Sequence, residues 1–183
     1  MEELYKKTLD RLKAELKKQL PEIEANGDWL WHHPEAGFKE TETQKYCLEV
    51  LKNHGFEACT WPDVTGFTCT YDTGRPGPCV MIMGEMDSLI CYSHPDCNPE
   101  TGAAHACGHS IQVATAMGAF ITLTESGVLE NFGGKVMLAG VPAEECLEIE
   151  WRTREIQKGR LHYLCGKAEL LYRGAFDGVD IVI

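Results

Sequence analysis

Apolar positions recur every three or four residues at the head of the chain, where Leu4, Leu9, Leu12 and Leu16 stand among Lys and Glu from Glu2 to Leu20. That spacing predicts a helix with a solvated face. Pro21 either opens a second helix, running through Ile23 to Trp31, or kinks the first. His33-Pro34-Glu35-Ala36-Gly37-Phe38 breaks the pattern as a loop, and a further helix is expected from Thr41 to His54, closed by Gly55.

The period then changes. Phe67 to Tyr71 alternates and carries Thr and aromatic residues, which predicts a strand. Asp72 to Pro78 is a turn, and Cys79 to Met83 is the nearly unbroken apolar run that a buried central strand requires. Ser93 to Gly102 holds Pro95, Asp96, Asn98, Pro99 and Gly102 and is expected on the surface. Helical patterns follow at Ile111 to Glu125, Glu148 to Lys158 and Lys167 to Arg173, with apolar strands at Gly134 to Val141 and Gly178 to Ile183. Strands alternating with helices predict an α/β fold, a three-layer sandwich with a mostly parallel central sheet and helices on both faces. The final strand has no turn or polar tail after it, so the chain is expected to be cut, or naturally short, where a longer protein continues.

Composition narrows the function. The 183 residues carry 17 basic and 28 acidic side chains, a formal net charge of -11, which excludes the basic face that a nucleic-acid partner needs. No apolar run approaches the roughly 18 residues of a bilayer span. Met1 to Leu20 lacks an apolar signal core, so a cytoplasmic protein without membrane attachment is expected. The cysteines number 9, an odd count, and are expected as reduced thiols. Cys47, Cys59, Cys69, Cys79 and Cys165 lie in apolar surroundings and are expected as small core residues.

Three segments are expected together at the sheet edge where open α/β folds bind ligands: Gly84-Glu85-Met86-Asp87, His105-Ala106-Cys107-Gly108-His109 and Pro142-Ala143-Glu144-Glu145. Cys107 and His109 point the same way if their segment is extended, and a thiolate and an imidazole so placed grip one metal ion. Gly108 gives the backbone between them freedom, and the adjacent helix N-terminus favours the thiolate. His105 is either a third ligand or a hydrogen-bonded support for the others. The plain alternative is a core thiol beside two surface histidines, and for an isolated Cys-x-His that alternative wins. The glutamate pair changes the balance. Two adjacent carboxylates at the end of a buried strand repel each other, and a cation relieves that cost. One then ligates while its neighbour takes a proton from water. Asp87 can steady a ligating histidine from behind, and Glu85 is either a ligand or an exposed charge.

In this order and spacing, together with His33-Pro34-Glu35-Ala36-Gly37-Phe38, these motifs resemble the aminoacylase/carboxypeptidase metallopeptidase family. The resemblance is to the branch with hippurate, indole-acetyl-amino-acid and aminobenzoyl-glutamate hydrolases, and runs from Ile23 to the end. It implies a site for two zinc or manganese ions that hydrolyses the amide of an N-acyl amino acid or short peptide. Carried over by position, Cys107, His109 and Glu145 match metal ligands, Glu144 the general base and Asp87 the supporting aspartate. Ser110 stands where an Asp or Asn is common, and Glu85 where an Asp is common. The family's catalytic domain is interrupted by a lid and dimerisation domain, and its two remaining His ligands have no match here. Residues 1–183 are therefore expected to be the N-terminal segment of that domain, without lid or C-terminal half, of a protein that in full length forms a homodimer. His162 lies in the wrong segment to substitute. Two other classes stay open: a truncated, non-catalytic metal-binding or subunit-interaction module, and a cysteine hydrolase using Cys107 and His109. The latter suffers from residues two apart being poorly placed as a nucleophile and its base.

Overall fold

The computed structural model describes residues 2–183. Helix α1 (Glu2–His32) leads to α2 (Thr41–Asn53), then β1 (Ala58–Thr60), β2 (Phe67–Asp72) and β3 (Cys79–Glu85). Two short strands, β4 (Leu89–Ile90) and β5 (Ala103–Ala104), precede α3 (His109–Glu125), and β6 (Lys135–Val141), α4 (Ile149–Gln157), α5 (Gly166–Tyr172) and β7 (Ile181–Val182) complete the chain.

Five strands form one sheet in the order β1-β2-β6-β3-β7, while β4 and β5 pair separately. The sheet is mixed. β6 runs parallel to β3, from Cys79 opposite Lys135 to Glu85 opposite Val141, and β7 runs parallel to β3 on its other side. β2 pairs antiparallel with both β6 and β1. Parallel pairing is thus confined to the half that carries the candidate chemistry.

Alternation along β3 and β6 sends side chains to two cores. Leu138 and Ile82 face Leu30 of α1, Leu51 of α2 and Met117 and Phe120 of α3. Met81, Ala139 and Val141 face Leu170 of α5 and Ala175. Helices therefore cover both faces, as the α/β reading expects.

Several elements depart from expectation. α1 continues through Pro21, which is exposed, so neither a second helix nor a break occurs there. Of its anticipated leucine positions, Leu4 and Leu16 are exposed and Leu9 and Leu12 half-buried, whereas Glu15 and Gln19 are buried. Gln19 donates to Glu15 (3.1 Å) and to Glu125 at the end of α3 (2.9 Å), so this half of the helix is held by polar contacts. The closing strand, expected to be buried, is an exposed edge. Cys47, Cys69 and Cys79 are buried as expected, but Cys59 is exposed and Cys165 half-buried; all nine cysteines are free thiols. No helix among the described residues is long and apolar enough to cross a membrane.

Candidate metal centre

Because β3 and β6 are parallel and in register, Glu85 and Val141 end side by side, and both strands deliver their following residues to one edge. α3 begins at the same edge. It lies close on β3 because residue 84 is glycine: a Cβ there would stand 2.7 Å from the Cα of Val113. Gln112 of α3 accepts the backbone N–H of Glu85 (2.8 Å), which fixes the strand end against the helix.

His109, the first residue of α3, is buried. Its Nδ1 lies 2.9 Å from the carbonyl oxygen of Asp87 and 3.3 Å from the Asp87 carboxylate. A hydrogen on Nδ1 donated there leaves Nε2 facing the carboxylates, 3.2 Å from Glu85 and 3.9 Å from Glu144. The Asp87 hydrogen bond, assisted by the neighbouring Glu85, outweighs burial and pushes the imidazole up to about 9. Ligand atoms of Glu85, His109 and Glu144 all lie within 4.8 Å of one another. Glu85, open between a ligand and an exposed charge in the sequence, is nearly buried and lies within this trio.

Asp87 is fully buried and reaches two segments: besides His109, its Oδ2 accepts the backbone N–H of Glu145 (2.9 Å). Glu145 in turn stands beside Cys107. The segment carrying Cys107 is a turn rather than an extended strand, with Gly108 left-handed at φ 86°, so Cys107 and His109 do not project alike. Cys107 is exposed and lies outside the Glu85–His109–Glu144 trio. The expectation that the helix N-terminus would favour its thiolate is overturned: the hydrogen bond to Glu145, with burial and the carboxylates around it, pushes the thiol up to about 11. His105 is buried with neither ring nitrogen bonded, and burial, reinforced by His109, lowers it to about 4. It is a neutral imidazole with unspent hydrogen-bonding capacity.

The glutamate pair is carried by a strained loop. Ala143 adopts φ 49°, a region that costs a non-glycine residue energy unless its surroundings impose it. Two contacts do so. Gly37 is pressed against Ala143, where a Cβ on residue 37 would sit 2.7 Å from the Ala143 Cα. The fully buried Glu40 accepts the Ala143 N–H (2.7 Å) and the Thr65 hydroxyl (2.5 Å). The His33-to-Phe38 motif is structural: Glu35 accepts backbone N–H groups of Thr41 and Thr43 (3.1 and 2.8 Å), capping α2.

Two residues of this region escaped sequence reasoning. Glu40 had no signal, being a lone acidic residue before a helix. Lys167, the second residue of α5, sends its ammonium to Glu85 and to within 3.8 Å of Glu144. His162 pairs with Glu169 (3.1 Å), away from the cluster.

The donor set suits a divalent cation. A histidine nitrogen with its other nitrogen already committed, converging carboxylates and a nearby thiol are ligand types that divalent metal ions take. The buried Oδ1 of Asp87, 3.3 Å from Nδ1, stands behind the histidine.

No protein-family model matches the chain. Individual proteins do. The N-acyl-L-amino acid amidohydrolase of Geobacillus stearothermophilus is 26% identical over 180 residues, covering 93% of this chain and 43% of the relative. The N-acetyldiaminopimelate deacetylase of Brevibacillus brevis is 31% identical over 131 residues, 68% of this chain and 33% of that one. The crystal structure of the Bacillus subtilis YXEP protein, a dinuclear metal binding peptidase from the M20 family, superposes with a TM-score of 0.69 at 25% identity, over 93% of this chain and 42% of its own. The chain thus spans under half the length of these relatives. Within that span, sequence and fold both align it with the N-terminal part of the aminoacylase/carboxypeptidase metallopeptidase family.

Proposed function

We propose that this chain carries half of a metal-dependent amidohydrolase site, acting on the amide of N-acyl amino acids or short peptides. The observation that carries the reading is the convergence at one sheet edge of Glu85, His109 and Glu144, with Asp87 touching both His109 and the Glu145 backbone. The relatives' activities, an amidohydrolase of N-acyl-L-amino acids and a deacetylase among them, support the substrate class.

In this reading Cys107, His109 and Glu145 hold the cation, zinc or manganese, with Glu85, 3.2 Å from His109 Nε2, as a further carboxylate toward it, and Glu144 is the general base. When bound, such a cation supplies Lewis acidity that brings water toward a neutral pKa and polarises the scissile carbonyl. Glu144, the more exposed carboxylate of the trio and the farther from His109, takes the proton of the attacking water and returns it to the leaving nitrogen. Asp87 holds the imidazole in the tautomer that leaves Nε2 free, and steadies Glu145 through its backbone. Glu40 keeps Ala143 in the conformation that presents Glu144. The lid, the dimer contacts and the remaining ligands belong to a part of the protein outside these residues.

Glu144→Gln decides the roles. Loss of turnover on a panel of N-acetyl amino acids with cation content unchanged is expected. Loss of the cation instead would make Glu144 a ligand, with Glu85 and His109 as its companions. The second class is a metal-binding or subunit-interaction module. It predicts stoichiometric cation with no turnover on that panel.

A further inference from the structure

Lys167 is placed with unusual definition for a lysine whose side chain is 43% exposed. The residue before it, Gly166, is wedged against the Glu144 loop: its N–H donates to the Ala143 carbonyl (3.0 Å), and a Cβ at position 166 would overlap the Pro142 carbonyl. α5 therefore starts at a fixed distance from the loop that presents Glu144, and its second residue must face the cluster. The Lys167 ammonium bonds one oxygen of Glu85, whose other oxygen lies 3.2 Å from His109 Nε2, and stands 3.8 Å from Glu144. Glu85 and Glu144 thus sit between the His109 imidazole and the Lys167 ammonium. A divalent ion drawn to the same two carboxylates meets a positive charge already in place.

Resting on the metal-site reading above, we propose that Lys167 is a built-in counter-ion of the centre that competes with the divalent cation for Glu85 and so sets how tightly the cation is held. Lys167 acts here as a positioning residue, through the carboxylates. Unit charges about 4 Å apart repel appreciably even with partial solvent screening. Removing the ammonium is therefore expected to strengthen cation binding on the order of tenfold or more.

The test is calorimetric titration of zinc into the whole chain and into Lys167→Met, Lys167→Arg and the double variant Lys167→Met/His109→Ala. Lys167→Met should bind zinc on the order of tenfold or more tightly than wild type. Lys167→Arg, which keeps the charge, should stay near wild type, and His109→Ala should abolish the gain. Wild type and Lys167→Met binding alike, or Lys167→Met binding more weakly, overturns the role of Lys167 while leaving the metal site standing. A gain that survives His109→Ala also overturns it, because the ion would then lie elsewhere. Zinc bound by Lys167→Met but not by wild type supports competition in its strongest form. If neither binds zinc, the metal-site reading falls and the inference with it.

Discussion

Asp87 and Glu40 are both fully buried carboxylates, and they do different work. Asp87 has one oxygen on the Glu145 backbone and the other beside His109, so it couples the two segments that are proposed to share an ion. Asp87→Ala should weaken zinc binding by about ten- to hundredfold, the usual effect of losing a support behind a metal-ligating histidine. A zinc isotherm unchanged by the substitution would separate Asp87 from the centre. Glu40 answers to pH. Burial, with Asp87 nearby, raises its carboxyl to about 7 from an ordinary 4.5, against the hydrogen bonds from Thr65 and Ala143. The folded chain therefore holds a proton that the unfolded chain has lost, and stability from this group is full below about 4.5 and lost as pH rises through about 7. Glu40→Gln keeps an acceptor for Ala143 and offers a donor to Thr65, so it should fold, and urea midpoints between those pH values should flatten relative to wild type. Equal slopes would locate the titration elsewhere.

At the scale of elements, the site depends on how closely α3 lies on β3. Gly84 permits that approach, and a methyl group there meets Val113 main chain rather than a flexible side chain. Gly84→Ala is expected to cost about 1–3 kcal/mol by overpacking. It should also weaken zinc binding, because lifting α3 moves His109 away from Glu85. Denaturant midpoints and zinc isotherms that both stay at wild-type values would refute this geometry. A second junction joins three helices. His54, just past α2, lies 2.9 Å from Glu22 of α1 and 2.5 Å from Glu125 of α3. Burial opposes its charge, but the two carboxylates prevail and raise its pKa. A raised histidine contributes stability that is present below its unfolded value and disappears as pH rises through the folded one. His54→Gln should remove that portion of the alkaline decline in midpoint.

These elements also show what the sequence could convey. Cys79–Glu85 and Lys135–Val141 were legible because strands buried on both faces must be apolar throughout, and α2 because Gly55, at φ 80°, closes it. β1 was missed because a strand of only three residues, half-buried at Ala58 and exposed at Cys59 and Thr60, leaves no periodic trace. Pro21 misled because a proline on the solvent side of a long helix can be tolerated when the rest of the helix is anchored. Asp87, His109 and Glu144 were legible as chemistry, but which carboxylate faces the imidazole depends on the β3–β6 register and on the turn at Gly108. Lys167 was invisible because its place is set by a glycine pressed on a distant loop.

For the molecule as a whole, acidity and the open sheet edge pull in opposite directions. A net charge of -11 keeps like molecules apart, and the clustered Glu85, Asp87, Glu144 and Glu145 add to it locally. β7, however, pairs on one side only, with Val80 and Met81 of β3, and leaves Ile181, Val182 and Ile183 exposed. An apolar, unpaired strand edge is a template for another strand. Charge repulsion is screened by salt while strand pairing is not, so residues 1–183 taken alone should self-associate through β7 as ionic strength rises. Sedimentation velocity at increasing protein and salt concentration is expected to show a larger species. Val182→Lys should suppress that species while leaving the thermal midpoint nearly unchanged, because the side chain it replaces is 44% exposed. A wild-type chain that stays monomeric at high salt would mean that the edge is too short, at two residues, to recruit a partner.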